Sequence, residues 1–530
     1  MLGSLGRKLR AWLVVALGFY FGATLIGGLA VRLLSTAGWV RSDTIGAYIA
    51  QLAIGLFVGG GTLRWVRARA TEPWSDVHGS ARFASPREVA SGLVGDAGLI
   101  VGREANGRRR LLRYGGPAHL LTVAPTRSGK GVGAIVPNLL TANRSVLCVD
   151  PKGENAKITA RARGRFGPVH VLDPFGVSGL PSAAYNPLAA LDPYSLDLGE
   201  DVAVLADALV YDPPGQVGEA HWNEEAKALM TGVILHVVTD GDPAGRTLAR
   251  VRELLTGAPD AFRALLAAMQ ANPAANGLVA RAANRHLGKS DREAAGVLSS
   301  AQRHTHFLDS PRIAAVMSGS DFGFADLKAG VATVFLVLPP DRLAVHSRWL
   351  RLLVAQAVID MARSPARPAS PVLFLLDEFA ALGRLEPVER AMGLMAGYGM
   401  QLWPILQDLH QLRFTYGDRH GTFLSNAGLV QIFNVNDVDT ATWVSRSLGA
   451  MTEVFETAST SVSHAPGQIF ATHGSGTSVQ LARRDLMTPD EVMRLDTETE
   501  LLLRQNGAPV VARKVRFYAE REFAGLYDAV

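Results

Sequence analysis

The stretch Ala124-Pro-Thr-Arg-Ser-Gly-Lys-Gly131 constrains the fold of this chain more than any other. It follows an apolar, strand-like run at residues 119–123 and precedes a helix-like segment at residues 132–140. A strand, a turn containing Gly-Lys and a helix form a phosphate-binding loop, in which backbone N–H groups and the helix N-terminus hold a nucleotide's phosphates. The layout predicts that Lys130 reaches the β and γ phosphates. The predicted nucleotide-binding residues are Ala124, Pro125, Thr126, Arg127, Ser128, Gly129, Lys130, Gly131 and Val132.

Two positions depart from the usual pattern of such loops. Ala124 replaces the first glycine, and Gly131 replaces the hydroxyl residue that normally binds Mg²⁺. The motif alone therefore also fits a glycine-rich turn that binds no ligand. Further parts of a nucleotide site are needed to decide between the two interpretations.

A second motif supplies such a part. Residues 371–376 are fully apolar, as a central parallel strand should be, and they end in Asp377 and Glu378. This is a Walker B pattern: Asp377 is predicted to hold Mg²⁺, directly or through water, and Glu378 to orient and polarise the attacking water. An acidic pair can also begin a helix, where carboxylates favour the helix dipole. The upstream phosphate loop favours the nucleotide site.

The next strand-like run, residues 401–406, ends in Gln407. Its position resembles that of a γ-phosphate sensor, and an ordinary loop residue is the alternative. Lys130, Glu378 and Gln407 are thus the predicted catalytic residues. The cofactors that these residues imply are ATP and Mg²⁺.

Strand-like runs alternate with helix-like segments, which predicts an α/β fold with a mostly parallel sheet covered by helices on both faces. Two of the strands end in Asp150 and Asp173, at the sheet edge where such folds bind ligands. Capping of a turn is the alternative for both residues, and we prefer it for Asp173. Residues 457–477 are rich in Ser, Thr, Gly and His and are predicted to form a mobile loop.

Two apolar stretches, at residues 11–31 and 44–63, carry no charge, and each approaches the roughly 20 residues needed to cross a bilayer. They predict a transmembrane hairpin, and each stretch contains a G-x-x-x-G spacing that allows close helix packing. A cleaved signal peptide is the alternative, but its apolar region would be shorter. The glycine pairs are Gly18 with Gly22 and Gly55 with Gly59.

Basic residues concentrate at the outer ends of the two spans, which by the positive-inside rule places both chain ends in the cytoplasm. They are Arg7, Lys8 and Arg10 before the first span and Arg64, Arg67 and Arg69 after the second.

The sequence predicts four segments. They are residues 1–70, the hairpin; 71–190, the first part of a nucleotide-binding domain; 191–325, an all-α insertion; and 326–530, the second part of the nucleotide-binding domain. Within the insertion, helical spacing extends over residues 201–210, 222–238, 247–270, 274–287 and 290–308.

The net charge of +5 reflects arginine clusters at residues 108–113, 161–165, 483–484 and 513–516. Such clusters fit contact with a phosphate backbone, although short charge runs also form ordinary solvated faces. The one cysteine, Cys148, lies in an apolar run and is predicted to be a small buried side chain. A single cysteine excludes an intramolecular disulfide.

Taken in order, these motifs resemble the coupling-protein ATPases of type IV secretion and conjugation systems, the TraG/VirD group. The resemblance covers almost the whole chain, and a glycine at the position of Gly131 also occurs in that family. Besides the membrane hairpin, the phosphate loop and the helical insertion, the motifs are Asp-Pro-Lys-Gly-Glu154, Tyr-Asn-Pro-Leu188, Leu-Leu-Asp-Glu-Phe379, Ala-Leu-Gly-Arg384 and Gln-Asp-Leu-His-Gln-Leu412.

The resemblance implies a RecA-like ATPase, hexameric when active, anchored as a multi-pass protein in the bacterial inner membrane. Its implied partners are secretion-channel components, non-specific DNA, and a relaxase–DNA complex or effector proteins as cargo. Some relatives place a trans-acting arginine in the helix after the Asp-Glu pair, but residues 395–398 here contain none. Arg384 and Arg390 are weak replacements.

Three other functions remain open at this stage. A chromosome-segregation DNA pump of the FtsK/HerA kind shares the ATPase core, but a C-terminal winged-helix DNA reader would be expected. A protein-only secretion ATPase would carry the same ATP site. A non-enzymatic membrane adaptor would require the loss of Lys130, Asp377 or Glu378, and all three residues are present.

Overall fold

The computed structural model describes residues 16–38, 44–70, 76–107, 109–210, 220–240, 242–463 and 472–529. The chain divides into two compact units. One contains Arg82–Leu448 and Met487–Val530, and the other contains Met1–Ala81 and Gly449–Leu486. The predicted nucleotide-site residues all belong to the first of these units.

Strands form the framework of the larger unit. In chain order the strands are β1 (Leu99–Glu104), β2 (Leu111–Tyr114), β3 (His119–Val123), β4 (Val146–Asp150), β5 (Val169–Leu172), β6 (Thr333–Val337), β7 (Val372–Leu376), β8 (Met400–Leu406), β9 (Ala427–Phe433), β10 (Ala450–Ser463), β11 (Thr472–Asp485), β12 (Thr499–Arg504) and β13 (Val510–Arg513). Strands β10 and β11 belong to the smaller unit and pair with each other, and the other eleven make one sheet in the order β2-β1-β13-β12-β9-β3-β8-β7-β4-β6-β5.

The sheet is parallel from β9 to β5 and antiparallel where β12, β13, β1 and β2 join it. Strands β3, β4, β6, β7, β8 and β9 are buried at every residue. Their continuous apolar sequences follow from this burial, because both faces of a parallel sheet are covered by other elements. The predicted α/β class with a mostly parallel sheet is confirmed.

Helices connect and cover the strands. In chain order they are α1 (Ala16–Thr36), α2 (Ile45–Ala70), α3 (Pro86–Leu93), α4 (Val136–Thr141), α5 (Glu154–Arg163), α6 (Leu198–Leu209), α7 (Ala220–Thr239), α8 (Leu248–Thr256), α9 (Pro259–Ala271), α10 (Leu278–Leu287), α11 (Asp291–Thr305), α12 (Pro311–Val316), α13 (Asp326–Ala329), α14 (Pro340–Arg363), α15 (Glu386–Leu394), α16 (Leu409–Tyr416), α17 (His420–Asn426), α18 (Val438–Leu448) and α19 (Pro489–Met493).

The chain between β5 and β6 holds α6 to α13 and, in its described part, no strand. One helix prediction in this region is wrong: residues 247–270 form two helices, α8 and α9, rather than one. Gly257 and Ala258 have extended ψ angles of 159° and 153°. Pro259, the first residue of α9, disfavours helical backbone in the residue before it, so the helix breaks there. The proposed domain boundaries themselves stay a prediction.

In the smaller unit, α1 and α2 are long and apolar enough to cross a membrane, over Ala16–Thr36 and Ile45–Arg64. Their glycines lie where the two helices touch. A Cβ built on Gly18 would lie 2.7 Å from Thr62, one on Gly22 2.7 Å from Val58, and one on Gly55 2.8 Å from Ala23. The predicted role of the G-x-x-x-G spacings in close helix packing is confirmed. Residues 11–15 and the basic residues Arg7, Lys8 and Arg10 lie outside the described part of the chain.

The predicted mobile loop at residues 457–477 is wrong over most of its length. Strands β10 and β11 pair in antiparallel register from Ala450 opposite Asp485 to Ser463 opposite Thr472, and residues 464–471 lie outside the described residues. The prediction gave weight to the glycines and serines in this stretch. The β-branched residues Thr457, Thr460 and Val462 instead favour strand.

Candidate nucleotide-binding site

Three neighbouring parallel strands carry the predicted site to one edge of the sheet. The phosphate loop follows β3, Gln407 follows β8, and Asp377 and Glu378 follow β7, and these strands are adjacent in the order β3-β8-β7. Because the carboxyl ends of parallel strands lie at the same edge, side chains from three distant sequence segments meet there.

The loop between β3 and α4 has a fixed, partly left-handed backbone. Arg127 has φ of +63° and Gly129 has φ of +93°. The Ala124 amide donates to the carbonyl of Leu406 at 2.8 Å, which ties the start of the loop to β8. After Lys130 the chain makes a π-helical turn over Gly131–Ile135 before α4 begins. A loop that leads into a helix N-terminus in this way can direct amides at an anion.

Lys130 contacts both residues of the acidic pair. Its Nζ lies 2.9 Å from Oδ1 of Asp377 and 2.6 Å from Oε1 of Glu378. All three side chains are largely shielded from solvent, with relative exposures of 15%, 15% and 30%. The loop lysine and the Walker B carboxylates therefore form one charge cluster.

Gln407 links the acidic pair back to the loop. Its Nε2 donates to Oε2 of Glu378 at 3.0 Å, and its Oε1 accepts a hydrogen bond from the Thr126 hydroxyl at 3.3 Å. Its backbone amide donates to the side chain of Gln411 at 3.1 Å. The Gln407 amide is thus oriented by contacts on both sides, between the loop and Glu378.

The pKa values of Asp377 and Glu378 shift in opposite directions. Burial raises the pKa of Asp377, and the charge of Lys130 offsets only part of the rise. Burial also acts to raise the pKa of Glu378, but hydrogen bonds from Lys130 and Gln407 outweigh it, and the net shift is downward. Burial acts to lower the pKa of Lys130, but the two carboxylates outweigh burial and raise this pKa above its ordinary value. Glu378 is therefore the carboxylate that stays ionised most readily.

Two observations show that the loop has room and donors for a phosphate group. The Ser128 hydroxyl is buried and has no hydrogen-bond partner among the described residues. A Cβ placed on Gly131 would meet no atom within 4 Å, so the start of the helix faces open space. The absence of a side chain at Gly131 leaves this space available to a ligand.

Asp150, at the end of β4, lies next in the sheet to the strand that carries Asp377. Its carboxylate accepts a hydrogen bond from the amide of Ala156 at 2.9 Å and so caps α5. Burial, with the charge of Asp377 adding to it, raises the pKa of Asp150 to about 7.

Asp173 accepts hydrogen bonds from the amide and hydroxyl of Ser178, both at 2.7 Å, which confirms its turn-capping role. Cys148 is fully buried, as predicted.

The two weak candidates for a trans-acting arginine are held by neighbouring acids. Arg384 lies 3.3 Å from Glu389, and Arg390 lies 2.6 Å from Glu386. Both arginines are about half exposed or more, at 48% and 65%.

Sequence reasoning missed Lys514, which follows β13 and donates a hydrogen bond to the Ser128 carbonyl at 2.8 Å. The residue stands in the basic cluster at 513–516, so composition indicated only a charged surface. Its position becomes recognisable only once the strand order places β13 near the phosphate loop.

With this geometry established, comparison with known proteins identifies the family. The family described as "Type IV secretory system Conjugative DNA transfer" matches residues 86–526. The chain belongs to this family. It is 30% identical over 499 residues to the conjugal transfer protein TraG of Escherichia coli, covering 86% of this chain and 77% of TraG. It is 32% identical over 425 residues to VirD4 of Rhizobium radiobacter, covering 79% of this chain and 59% of VirD4.

Solved structures confirm the fold. The plasmid coupling protein TrwB in complex with the ATP analogue ADPNP has a TM-score of 0.60 at 17% identity, with 82% of this chain and 93% of TrwB covered. TrwB in complex with ADP and Mg²⁺ has a TM-score of 0.59 at 16% identity, with coverages of 82% and 94%. The predicted resemblance to the TraG/VirD group and the RecA-like architecture are thereby confirmed.

Proposed function

We propose that this chain is the ATP-hydrolysing coupling protein of a type IV secretion system, which delivers DNA–protein complexes or effector proteins to the transport channel. One observation supports the proposal above all: the lysine of a phosphate loop contacts both carboxylates of an Asp-Glu pair at the end of a buried parallel strand. The family supplies the biological setting, since its matched model describes conjugative DNA transfer and its relatives include TraG and VirD4.

The loop residues would bind the phosphates of ATP. In the structure the ammonium of Lys130 is neutralised by Asp377 and Glu378, and phosphate oxygens would replace the carboxylates as its partners. The buried Ser128 hydroxyl would gain the hydrogen-bond partner that it lacks among the described residues. Residues 124–132 would surround the phosphates with backbone amides.

Asp377 would hold Mg²⁺, directly or through water. Carboxylate oxygen is a ligand type that Mg²⁺ prefers, and the ion usually takes only one or two carboxylates together with phosphates and waters. In the part of the chain that the structure describes, no group of three or more His, Cys, Asp or Glu is arranged to hold a metal ion. When bound, ATP and Mg²⁺ supply the transferable phosphoryl group and the charge that neutralises it.

Glu378 would orient the attacking water and accept its proton. Only the ionised carboxylate can accept a proton, and hydrogen bonds from Lys130 and Gln407 favour that form in this structure. Gln407 contacts Glu378 and Thr126 together, so it is placed to report the state of the phosphates to the Glu378 carboxylate. These roles for Lys130, Glu378 and Gln407 are part of the proposal.

The membrane location extends the same proposal. Helices α1 and α2 would form a hairpin in the bacterial inner membrane with both chain ends in the cytoplasm, supported by their length and apolar sequence. Six copies would form the active assembly, and secretion-channel components, non-specific DNA and a relaxase–DNA complex or effectors would be the partners. The all-α insertion at residues 191–325 would help to select the cargo.

Full-length protein purified in detergent tests the proposal through Glu378→Gln. This variant should bind ATP with affinity close to that of the unmodified protein, while hydrolysis falls roughly 10²- to 10⁴-fold, the usual loss for a positioned acid–base group. Glu253→Gln, an exposed residue of α8, is the matched control and should hydrolyse normally. Wild-type hydrolysis by the Glu378→Gln variant would contradict the assignment. DNA or protein that copurifies with this ATP-trapping variant would identify the cargo.

A further inference from the structure

We propose that Lys514 is a positioning residue of the nucleotide site, which fixes the peptide between Ser128 and Gly129 so that the Gly129 amide can receive a phosphate. This inference rests on the proposed function of the site and deepens it. Lys514 approaches the phosphate loop from β13, whereas Asp377 and Glu378 approach it from β7, and these strands lie on opposite sides of β3 in the sheet.

The Lys514 side chain ends directly against the loop. It is 7% exposed, and its Nζ donates to the Ser128 carbonyl at 2.8 Å. A second hydrogen bond runs to the side-chain oxygen of Asn434, and the ammonium lies 4.7 Å from the ring centroid of Phe433. Contacts with the phosphate loop and with the end of β9 therefore fix its position.

The contact with a carbonyl sets the direction of the neighbouring amide. In a trans peptide the C=O and the following N–H point in opposite directions. A hydrogen bond from Lys514 to the Ser128 carbonyl consequently turns the Gly129 N–H away from Lys514. Arg127 and Gly129, on either side of Ser128, have φ of +63° and +93°, and the value at Arg127 is one that L-residues rarely adopt without support. Lys514 supplies that support.

The charge of Lys514 also indicates an anionic ligand. Among the described residues no carboxylate lies within ion-pair distance of its Nζ, and its polar contacts are a carbonyl and an amide oxygen. The acids that face it at longer range are Glu500, Glu498 and Asp496, with Arg516 opposing them. Burial raises the pKa of Glu500 well above its usual range, which favours the uncharged form of that acid. Arg516 is the cation that pairs with Glu498.

Space for a ligand lies beside this contact. A cleft of about 250 Å³ is lined by Ser128, Gly129, Lys514 and Asn434. A buried cation with no direct counter-ion among the described residues, next to a loop that presents amides, adds positive charge behind the loop and so favours an anion bound to the amides. Lys514 would thus hold the phosphate loop from the side opposite to the Asp377–Glu378 pair.

The test uses full-length protein in detergent, with ATP as the ligand, and compares Lys514→Met, Lys514→Arg and the control Lys157→Met. Lys157 is exposed on α5. Lys514→Met keeps the length of the side chain and should raise both the Kd and the KM for ATP at least roughly tenfold, the cost of one charge-assisted hydrogen bond. Because the loop lysine and Glu378 remain intact, kcat should change much less. Lys157→Met should leave every parameter unchanged.

A pH series separates positioning from a merely structural role. Burial lowers the pKa of Lys514 to about 8, against the opposing charges of Glu500 and Glu498. Since the ammonium is lost above that value, ATP affinity of the unmodified protein should fall between pH 7 and pH 9. Lys514→Arg, which stays protonated, should retain ATP affinity across this range.

The outcomes are distinct. Wild-type Kd and KM in a folded Lys514→Met protein would overturn the inference, and so would a loss confined to kcat. If circular dichroism shows that Lys514→Met does not fold, the pH series decides: equal pH dependence in the unmodified protein and in Lys514→Arg would overturn it. Absence of ATP binding by the unmodified protein would instead overturn the proposed function itself.

Discussion

Lys130 and Glu378 are joined across the edge of the sheet, with Nζ of the lysine 2.6 Å from Oε1 of the glutamate. The same ammonium lies 2.9 Å from Asp377, so one cation pairs with two carboxyl groups. A nucleotide that draws Lys130 to its phosphates must therefore change the environment of both acids at once. Through Gln407, which contacts Glu378 and Thr126, that change is coupled to the loop.

The first prediction concerns Lys130→Ala. Loss of the ammonium should weaken ATP binding roughly 10- to 100-fold, the range expected when charge-assisted hydrogen bonds to phosphate are removed. The fold should survive, because the side chain packs no hydrophobic core. Calorimetric titration measures the affinity for ATP, and circular dichroism shows whether the variant is folded. Near-normal affinity in a folded variant would mean that another site holds the nucleotide.

The second prediction concerns pH and Asp150. The folded-state pKa of about 7 lies above the usual value of 3.8, so the folded protein binds the extra proton more tightly than the unfolded chain. This contribution to stability is present below about pH 4 and is lost as pH rises from 4 to 7. Each tenfold difference in proton affinity between the two states corresponds to about 1.4 kcal/mol of unfolding free energy.

Asp150→Asn should remove that dependence while keeping the acceptor for the Ala156 amide. The measurement is the difference in melting temperature between the variant and the unmodified protein, followed from pH 4 to pH 7.5. The variant should gain relative stability as pH rises. A constant difference across the series would show that folding does not raise the pKa of Asp150.

Particular residues show how far the sequence could predict this structure. The loop, Asp377 and Glu378 were predictable because strand ends and turns are encoded locally, and parallel strands bring their carboxyl ends together. The role of Lys514 could not be predicted, because it depends on the pairing of β13 with β1 and β12 and not on neighbouring residues in the sequence. The stretch at residues 457–477 misled since its glycines and serines fit a loop, whereas cross-strand pairing decides such segments.

The third prediction concerns the contact between α1 and α2. Gly22→Ile would place a branched side chain where a Cβ already lies 2.7 Å from Val58, so the two helices should separate. Gly60→Ile is the matched control in α2, because a Cβ there meets no atom within 4 Å. Energy transfer between labelled peptides of residues 16–36 and 45–64 in lipid vesicles measures the association. Equal transfer in both variants would contradict the described packing.

The fourth prediction concerns topology. The basic flanks predict that residues 33–43 lie in the periplasm. A cysteine at Ser42, a position outside the described residues, should react with an impermeant thiol reagent in intact spheroplasts, using a protein in which Cys148 is replaced. A cysteine at Thr71 should stay unlabelled until the membrane is permeabilised. The reverse labelling pattern would invert the proposed orientation.

The last prediction separates structural arginines from DNA-binding ones. The cluster at 161–165 fits DNA contact by composition, yet Arg163 is 0% exposed and donates to the Thr333 hydroxyl at 2.8 Å and to the Ala142 and Arg144 carbonyls at 2.5 and 2.6 Å. Arg163→Met would remove the donor to the Thr333 hydroxyl and the Arg144 carbonyl, at up to about 1–3 kcal/mol for each, whereas the Ala142 carbonyl would keep the hydrogen bond from the Arg144 amide.

A marked loss of thermal stability is therefore expected for Arg163→Met, with no change in the salt dependence of DNA binding measured at low temperature. Arg161→Met is the control, because Arg161 is 56% exposed and pairs with Asp528, and such surface pairs contribute at most about 1 kcal/mol. Each lost phosphate contact lowers the slope of log affinity against log salt by about 0.9. A slope reduced by that amount in Arg163→Met would show that the residue reaches DNA after all, through a conformation in which its carbonyl partners are released.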